Sequence, residues 1–129
     1  MSIKPGEECN LNLDVASRRI AVTEIEPRSD AVLIAVTGDL DIGTKATFHR
    51  RLSEILDGRD GQRLELDLSA LVFCDLTGLR GLHALGRACL QSGRQVRITT
   101  AGPCLNELLR LCRTPVLLDY ASPHNTLGK

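Results

Sequence analysis

Aromatic side chains are scarce in this sequence of 129 residues, which holds two phenylalanines, one tyrosine and no tryptophan. Protein modules that read single-stranded nucleic acid stack the bases on several aromatic rings. Phe48, Phe73 and Tyr120 are too few to build such a platform, so the sequence argues against direct binding of nucleic acid. Hydrophobic residues make up 43% of the chain, and the predicted single domain therefore has an aliphatic core.

Long apolar runs and paired cysteines are also missing. No stretch approaches the ~18 consecutive apolar residues of a membrane-spanning helix, and residues 1–19 lack the apolar segment of a secretory signal. The number of cysteines is odd, they show no Cys-x-x-Cys spacing, and the three histidines show no metal spacing. This composition favours a cytoplasmic protein with reduced thiols and without a membrane, metal or cofactor site.

Hydrophobic periodicity predicts the element order β-β-α-β-α-β-α-β within one domain at residues 18–120. Each predicted helix carries a single apolar stripe, so we expect a mixed α/β fold with amphipathic helices packed on the β-sheet. Residues 1–17 are predicted to form a flexible arm and residues 121–129 a polar tail. The predicted strands cover residues 19–26, 31–36, 63–68, 96–99 and 116–119, and the predicted helices cover residues 44–56 and 79–90 and a third segment that starts at Pro103.

Two short polar motifs follow strands in this prediction. Asp39 and Asp41 leave the second strand in a loop, and Asp75 and Thr77 enter the second helix. If the strands are neighbours, these side chains meet at one end of the sheet. Carboxylates beside a hydroxyl suit a phosphoacceptor site, and a phosphate is well placed at a helix N-terminus. The alternative is that the motifs only cap the helix and form turns.

A cysteine hydrolase built on Cys74, Asp75 and His83 is a weaker hypothesis. The sequence predicts that Cys74 ends a buried strand and that His83 lies within the second helix. Buried single cysteines are usually structural and unreactive. The residues therefore give little support for a cysteine hydrolase.

The segments Thr37-Gly38-Asp39-Leu40-Asp41 and Asp75-Leu76-Thr77-Gly78-Leu79, set 34 residues apart, together resemble the STAS family. This family comprises the sulfate-transporter and anti-sigma-factor-antagonist domains. The resemblance covers roughly residues 18–120 and implies a STAS-type mixed β-sheet. Since no transporter segment accompanies the motifs, the chain is most similar to a bacterial anti-sigma factor antagonist.

The resemblance implies a protein that is not an enzyme and that acts as a partner switch in transcription regulation. The unphosphorylated antagonist binds an anti-sigma factor of the histidine-kinase-like ATPase type, which acts as a serine/threonine kinase. Phosphorylation at Thr77 then separates the complex, and a phosphatase resets it. By position, Asp41 and Asp75 are the acids beside the acceptor. Gly78 has no side chain, which allows a partner to approach the turn closely. The implied partner-binding residues are Asp39, Asp41, Asp75, Leu76, Gly78, Leu79 and Arg80.

Two related roles keep the fold and change the partner. One is a stressosome-type scaffold subunit, for which threonine acceptors are typical. The other is an accessory STAS subunit of a lipid-transport ATP-binding cassette complex. The sequence leaves the choice between a monomer and a homodimer open.

Overall fold

The computed structural model describes residues 19–26 and 28–123. The predicted arm at residues 1–17 and most of the predicted tail lie outside these residues. No helix in the described ranges is long and apolar enough to cross a membrane. The elements are β1 (Ile20–Glu24), β2 (Ala31–Leu40), α1 (Lys45–Leu56), β3 (Arg63–Leu68), β4 (Leu71–Cys74), α2 (Leu76–Gln91), β5 (Val96–Ala101), α3 (Pro103–Leu111), β6 (Val116–Leu117) and β7 (Tyr120–Ala121).

The main sheet is mixed, as the sequence predicts. Its strands follow the order β1-β2-β3-β5, and β4 pairs with the far end of β2. β1 runs antiparallel to β2, whereas β3, β4 and β5 run parallel to their partners. The carboxyl ends of the parallel strands therefore lie at one edge, where the loops into α1 and α2 begin.

One continuous core lies between the sheet and the helices. The even-numbered side chains of β2 and β3, such as Ile34 and Leu66, point into it because successive residues of a strand alternate between faces. Phe48 and Leu52 of α1 and Leu82 of α2 pack against them and are fully buried or nearly so. The predicted apolar stripes of the helices are thus confirmed, and the core is aliphatic apart from Phe48.

β2 is longer than the sequence predicts. The predicted loop that carries Asp39 and Asp41 begins as strand, because β4 pairs with Gly38, Asp39 and Leu40. Gly38 lies where the pairing of β2 with β4 shifts register, with φ of 99°. A Cβ at this glycine would lie 2.3 Å from the carbonyl oxygen of Arg19, so the close approach of β1 requires a residue without a side chain.

The predicted last strand at residues 116–119 is wrong in detail, since the segment forms the hairpin of β6 and β7. Leu118 and Asp119 both have positive φ, at 48° and 63°, and they turn the chain. The hairpin lies beside β5, where the Leu118 carbonyl accepts the N–H of Ile98 over 2.9 Å. Tyr120 donates its hydroxyl to Asn106 of α3 over 2.7 Å and so fixes the hairpin to that helix.

Candidate functional site

The pairing of β2 with β4 brings the two sequence motifs together. Leu40 lies opposite Cys74 and Asp39 lies opposite Phe73. The N–H of Asp75 donates to the carbonyl oxygen of Leu40 over 3.4 Å. The chain segments that carry Asp41 and Asp75 are therefore neighbours at the carboxyl edge of the sheet, as expected from the sequence.

Asp75 is the N-cap of α2. Its backbone is extended, its Oδ1 accepts the N–H of Gly78 over 2.9 Å, and its carbonyl accepts the N–H of Leu79 over 2.9 Å. The helix consequently begins at Leu76, three residues before the predicted start at Leu79. This arrangement matches the capping alternative for Asp75.

Thr77 is the second residue of α2 and is half-buried. Within residues 19–26 and 28–123, its hydroxyl makes no hydrogen bond. The N–H groups of Leu76 and Thr77 also find no partner in these residues, because the first N–H groups of a helix have no preceding carbonyl to bond. Thr77 thus combines an available hydroxyl with two unpaired donors at the positive end of the helix dipole.

Asp41 shapes the loop between β2 and α1. Its carboxylate is only 2% exposed and accepts the N–H groups of Gly43 and Thr44 over 2.9 and 3.1 Å. The Thr44 hydroxyl donates to the carbonyl of Asp39 over 2.7 Å. Asp41 is therefore a buried turn residue, whereas the next residue, Ile42, is 80% exposed.

Apolar side chains stand out of this edge of the sheet. Ile42 follows Asp41, and Phe73 and Leu76 flank Cys74 and Asp75; Phe73 is 39% exposed and Leu76 is 46% exposed. Exposed apolar side chains in one place mark interaction surfaces more often than scattered ones do. We name the Thr77 surface by its residues, which are Ile42, Phe73, Leu76, Thr77 and the exposed Arg80.

Three predicted partner-binding residues do not reach this surface, and buried Asp41 is the first of them. Leu79 is 3% exposed and belongs to the core, so its side chain is not available to a docked partner and the prediction of direct contact is corrected. Gly78 is also buried, and a Cβ there would lie 2.3 Å from the Leu40 carbonyl oxygen and 2.9 Å from Cys74 Sγ. Gly78 therefore keeps α2 close to β2, which is a packing role.

Cys74 has none of the properties of a nucleophile. Its side chain is 4% exposed, and burial, with smaller contributions from Cys104, Asp75 and Asp41, raises the pKa of its thiol to about 12. A thiol that stays protonated at neutral pH neither attacks a carbonyl nor binds a metal. The geometry therefore argues against the hydrolase hypothesis.

Sequence reasoning missed the exposure of Ile42 and Phe73 and the separate strand β4. The run Leu71-Val72-Phe73-Cys74 carries the apolar residues typical of a strand. Only two residues, Ser69 and Ala70, separate it from the end of β3, which hides the break between the two strands. Its two end residues, Leu71 and Cys74, are buried and the two middle residues, Val72 and Phe73, are exposed, which differs from the usual alternation of a strand.

Similar structures share this fold. An anti-sigma factor antagonist from Mycobacterium paratuberculosis aligns with a TM-score of 0.62 and 20% identity over 75% of this chain and 80% of that one. The unphosphorylated anti-sigma factor antagonist SpoIIAA aligns with a TM-score of 0.57 and 14% identity over 73% of this chain and 82% of that one. The murine anion transporter Slc26a9 aligns with a TM-score of 0.59 and 16% identity, over 86% of this chain and 22% of the transporter.

These identities establish the fold alone, and the fold occurs both in regulators and within a transporter. The family is established from the sequence itself, because the family model described as "Mlab, STAS domain" matches residues 24–118. That span contains β2, β4, the loop after Leu40 and the start of α2 at Leu76. The chain belongs to the STAS domain family.

Proposed function

We propose that this protein is an anti-sigma factor antagonist that binds a kinase-type anti-sigma factor through the Thr77 surface. Phosphorylation of Thr77 by that partner switches the binding off, and a phosphatase restores it. The observation that supports this most directly is the hydroxyl of Thr77, which lies at the N-terminus of α2 and makes no hydrogen bond to any residue that the structure describes. Several structural neighbours are themselves anti-sigma factor antagonists.

The position of Thr77 suits a phosphate. The N–H groups of Leu76 and Thr77, which have no partner among the described residues, and the helix dipole both favour negative charge at this place. Asp75 uses one carboxylate oxygen for the Gly78 N–H, so the first turn of α2 is already fixed before a phosphate arrives. A kinase therefore meets an ordered acceptor and need not reshape the loop.

The unphosphorylated surface suits a protein partner. Ile42, Phe73 and Leu76 offer apolar area, and Arg80 adds one cation one turn further along α2. Burying such side chains favours association, because their apolar area is removed from water. The same contacts hold Thr77 next to the partner, where its hydroxyl can reach a nucleotide phosphate.

Phosphorylation changes this surface from neutral to anionic at its centre. A phosphothreonine carries about −1.5 to −2 charges at neutral pH. Within an apolar interface that charge loses its hydration, and Asp75 adds repulsion beside it. The proposed partner fits a neutral hydroxyl beside Leu76, and it is released because the phosphate would have to leave water to remain in that apolar contact.

The proposal is tested by intact mass spectrometry after incubation with ATP and a candidate kinase-type anti-sigma factor. Wild type is expected to gain one phosphate and Thr77→Ala none. Thr114→Ala is the matched control, since Thr114 is also half-buried and lies in the turn after α3, and it should be modified like wild type. Transfer to Thr77→Ala, or binding without any transfer, would contradict the phosphorylation switch.

A second candidate, the accessory subunit of a lipid-transport ATP-binding cassette complex, is favoured by Leu76. This bulky side chain is 46% exposed beside the acceptor, and it gives an apolar docking surface that needs no phosphate. In that role Thr77→Ala leaves binding unchanged, whereas Leu76→Ala weakens it. Co-purification with the ATPase in both wild type and Thr77→Ala identifies this alternative.

A further inference from the structure

A second surface feature lies at the opposite end of the sheet from Thr77. It is a groove of about 1010 Å³ between the first residues of β3 and β5, the second half of α2 and the turn between β6 and β7. β2, β3 and β5 are parallel, and Arg63 at the start of β3 pairs with Ala31, whereas Leu40 marks the other end of β2. Ten strand residues separate the ends of β2, which is roughly 30 Å.

One wall of the groove is apolar and open to water. Leu90 of α2 is 79% exposed and Val116 of β6 is 52% exposed, and both line the groove. Val96 and Leu118 continue the wall and are only partly buried. Adjacent exposed apolar side chains beside a concavity mark a binding groove more often than a solvated surface.

Four arginines line the same groove. Two of them, Arg63 and Arg97, already form ion pairs with carboxylates of the protein. Arg63 and Arg97 both approach Glu65, over 2.8 and 3.5 Å. Arg63 also approaches Asp30 over 3.4 Å. The carboxylate of Glu65 is thereby shared between two guanidinium groups.

The other two arginines retain their charge for a ligand. Within residues 19–26 and 28–123, Arg87 forms no ion pair. Arg94 donates one N–H to the carbonyl oxygen of Gln62 over 2.5 Å and forms no ion pair in the same ranges. A guanidinium has five N–H donors, so both groups keep donors for an anion. Asp119 is the one further carboxylate in the lining.

We propose that this groove binds an amphipathic anion, which is an acyl chain that ends in one carboxylate or phosphate. The chain lies along Leu90 and Val116, and the head group accepts hydrogen bonds from Arg87 and Arg94. Guanidinium groups bind carboxylates and phosphates in a bidentate geometry. The volume of the groove is at the upper end of the range for sites of small ligands.

This site is independent of the Thr77 surface because the two lie at opposite ends of the sheet. A ligand in the groove contacts α2 in its second half, at Arg87 and Leu90, whereas a partner of the Thr77 surface contacts the first turn. The protein can therefore hold the anion and its protein partner at the same time, and binding in the groove is not expected to depend on phosphorylation.

Isothermal titration calorimetry with decanoate below its micelle concentration tests the proposal on the full chain. Decanoate is expected to bind at one site. Decanol, which lacks the anionic head group, and inorganic phosphate, which lacks the alkyl chain, are expected to bind at least tenfold more weakly. Decyl phosphate distinguishes the two head groups and should bind at least as well as decanoate. Equal binding of decanol and decanoate, binding of inorganic phosphate alone, or binding only to anionic phospholipid vesicles would overturn the proposal.

Variants locate the site without disturbing the core. Arg87→Gln combined with Arg94→Gln should weaken decanoate binding at least about tenfold, since charged hydrogen bonds are lost, and Leu90→Gln should weaken it as well. Arg113→Gln and Leu111→Gln are the matched controls, because both residues are exposed and lie outside the groove. Equal affinity in the groove variants and in the controls would contradict the assigned site.

Discussion

The N–H of Gly78 donates to Asp75 Oδ1 over 2.9 Å, and this bond closes the first turn of α2 around Thr77. The acid of the sequence motif is therefore part of the helix that presents the acceptor. Asp75 therefore acts first on the position of Thr77. An effect of its charge on phosphoryl transfer is a second, separate contribution. Capping and charge can be separated by substitution.

Asp75→Ala removes the cap and should lower the free energy of unfolding by about 1 kcal/mol, measured by urea denaturation. Asp75→Asn keeps a capping oxygen and should have a stability close to that of wild type. In the phosphorylation assay, Asp75→Asn reports the effect of the charge alone. Equal stability of the alanine variant and wild type would show that the cap does not hold α2.

Gly78→Ala and Gly81→Ala test the close packing of α2 against β2. At Gly78 the new methyl would meet the Leu40 carbonyl oxygen at 2.3 Å, so a loss of about 1–3 kcal/mol is expected from overpacking. At Gly81 the nearest atom is His49 Nε2 at 3.4 Å, and the better helix propensity of alanine should offset the contact. Urea denaturation of both variants measures the difference, and similar stabilities would contradict the described packing.

Glu65 predicts a specific loss of stability in acid. The hydrogen bond from Arg63 lowers the pKa of the Glu65 carboxyl below its usual value. Because the folded pKa is depressed, the stabilisation is fully present above the unfolded pKa of ~4.3 and is lost as the pH falls through the folded pKa. Glu65→Gln should therefore be less stable than wild type at pH 7 and should show a smaller further loss toward pH 3.

The burial of Cys74 predicts its resistance to thiol reagents. Cys112 is exposed, and Cys74 is buried with a pKa of about 12. In a Cys9→Ser background, which removes the cysteine outside the described residues, an alkylating reagent should modify Cys112 first and Cys74 only after unfolding. Peptide mapping of the labelled chain measures the order, and early labelling of Cys74 would contradict the described core.

Much of the fold could be predicted because each helix has one apolar stripe and each internal strand has a buried face. β1, α1 and β3 were predicted within two residues of their observed ends. The start of α2 was predicted too late, because Leu76 and Thr77 are not part of the apolar stripe that begins at Leu79. The capping bond of Asp75 decides that boundary, and apolar periodicity does not report such a bond.

The site was less accessible to prediction than the fold. The motifs are close together because Leu40 of β2 pairs with Cys74 of β4. β4 has four residues, and the sequence pattern does not distinguish so short a strand from the end of β3. Buried Asp41 and exposed Ile42 are adjacent in sequence, and only the turn held by Thr44 gives them opposite environments. The roles of Thr77 and Arg80 remain predictions.

The proposed switch is tested by the dissociation constant of the complex with a kinase-type anti-sigma factor, measured for the unphosphorylated and the Thr77-phosphorylated chain. We expect tight binding of the unphosphorylated chain and an affinity at least about 100-fold lower for the phosphorylated one, which corresponds to about 2.7 kcal/mol. Ile42→Lys should weaken binding of the unphosphorylated chain, and Leu111→Lys should not. Equal affinity of the two forms would contradict the switch.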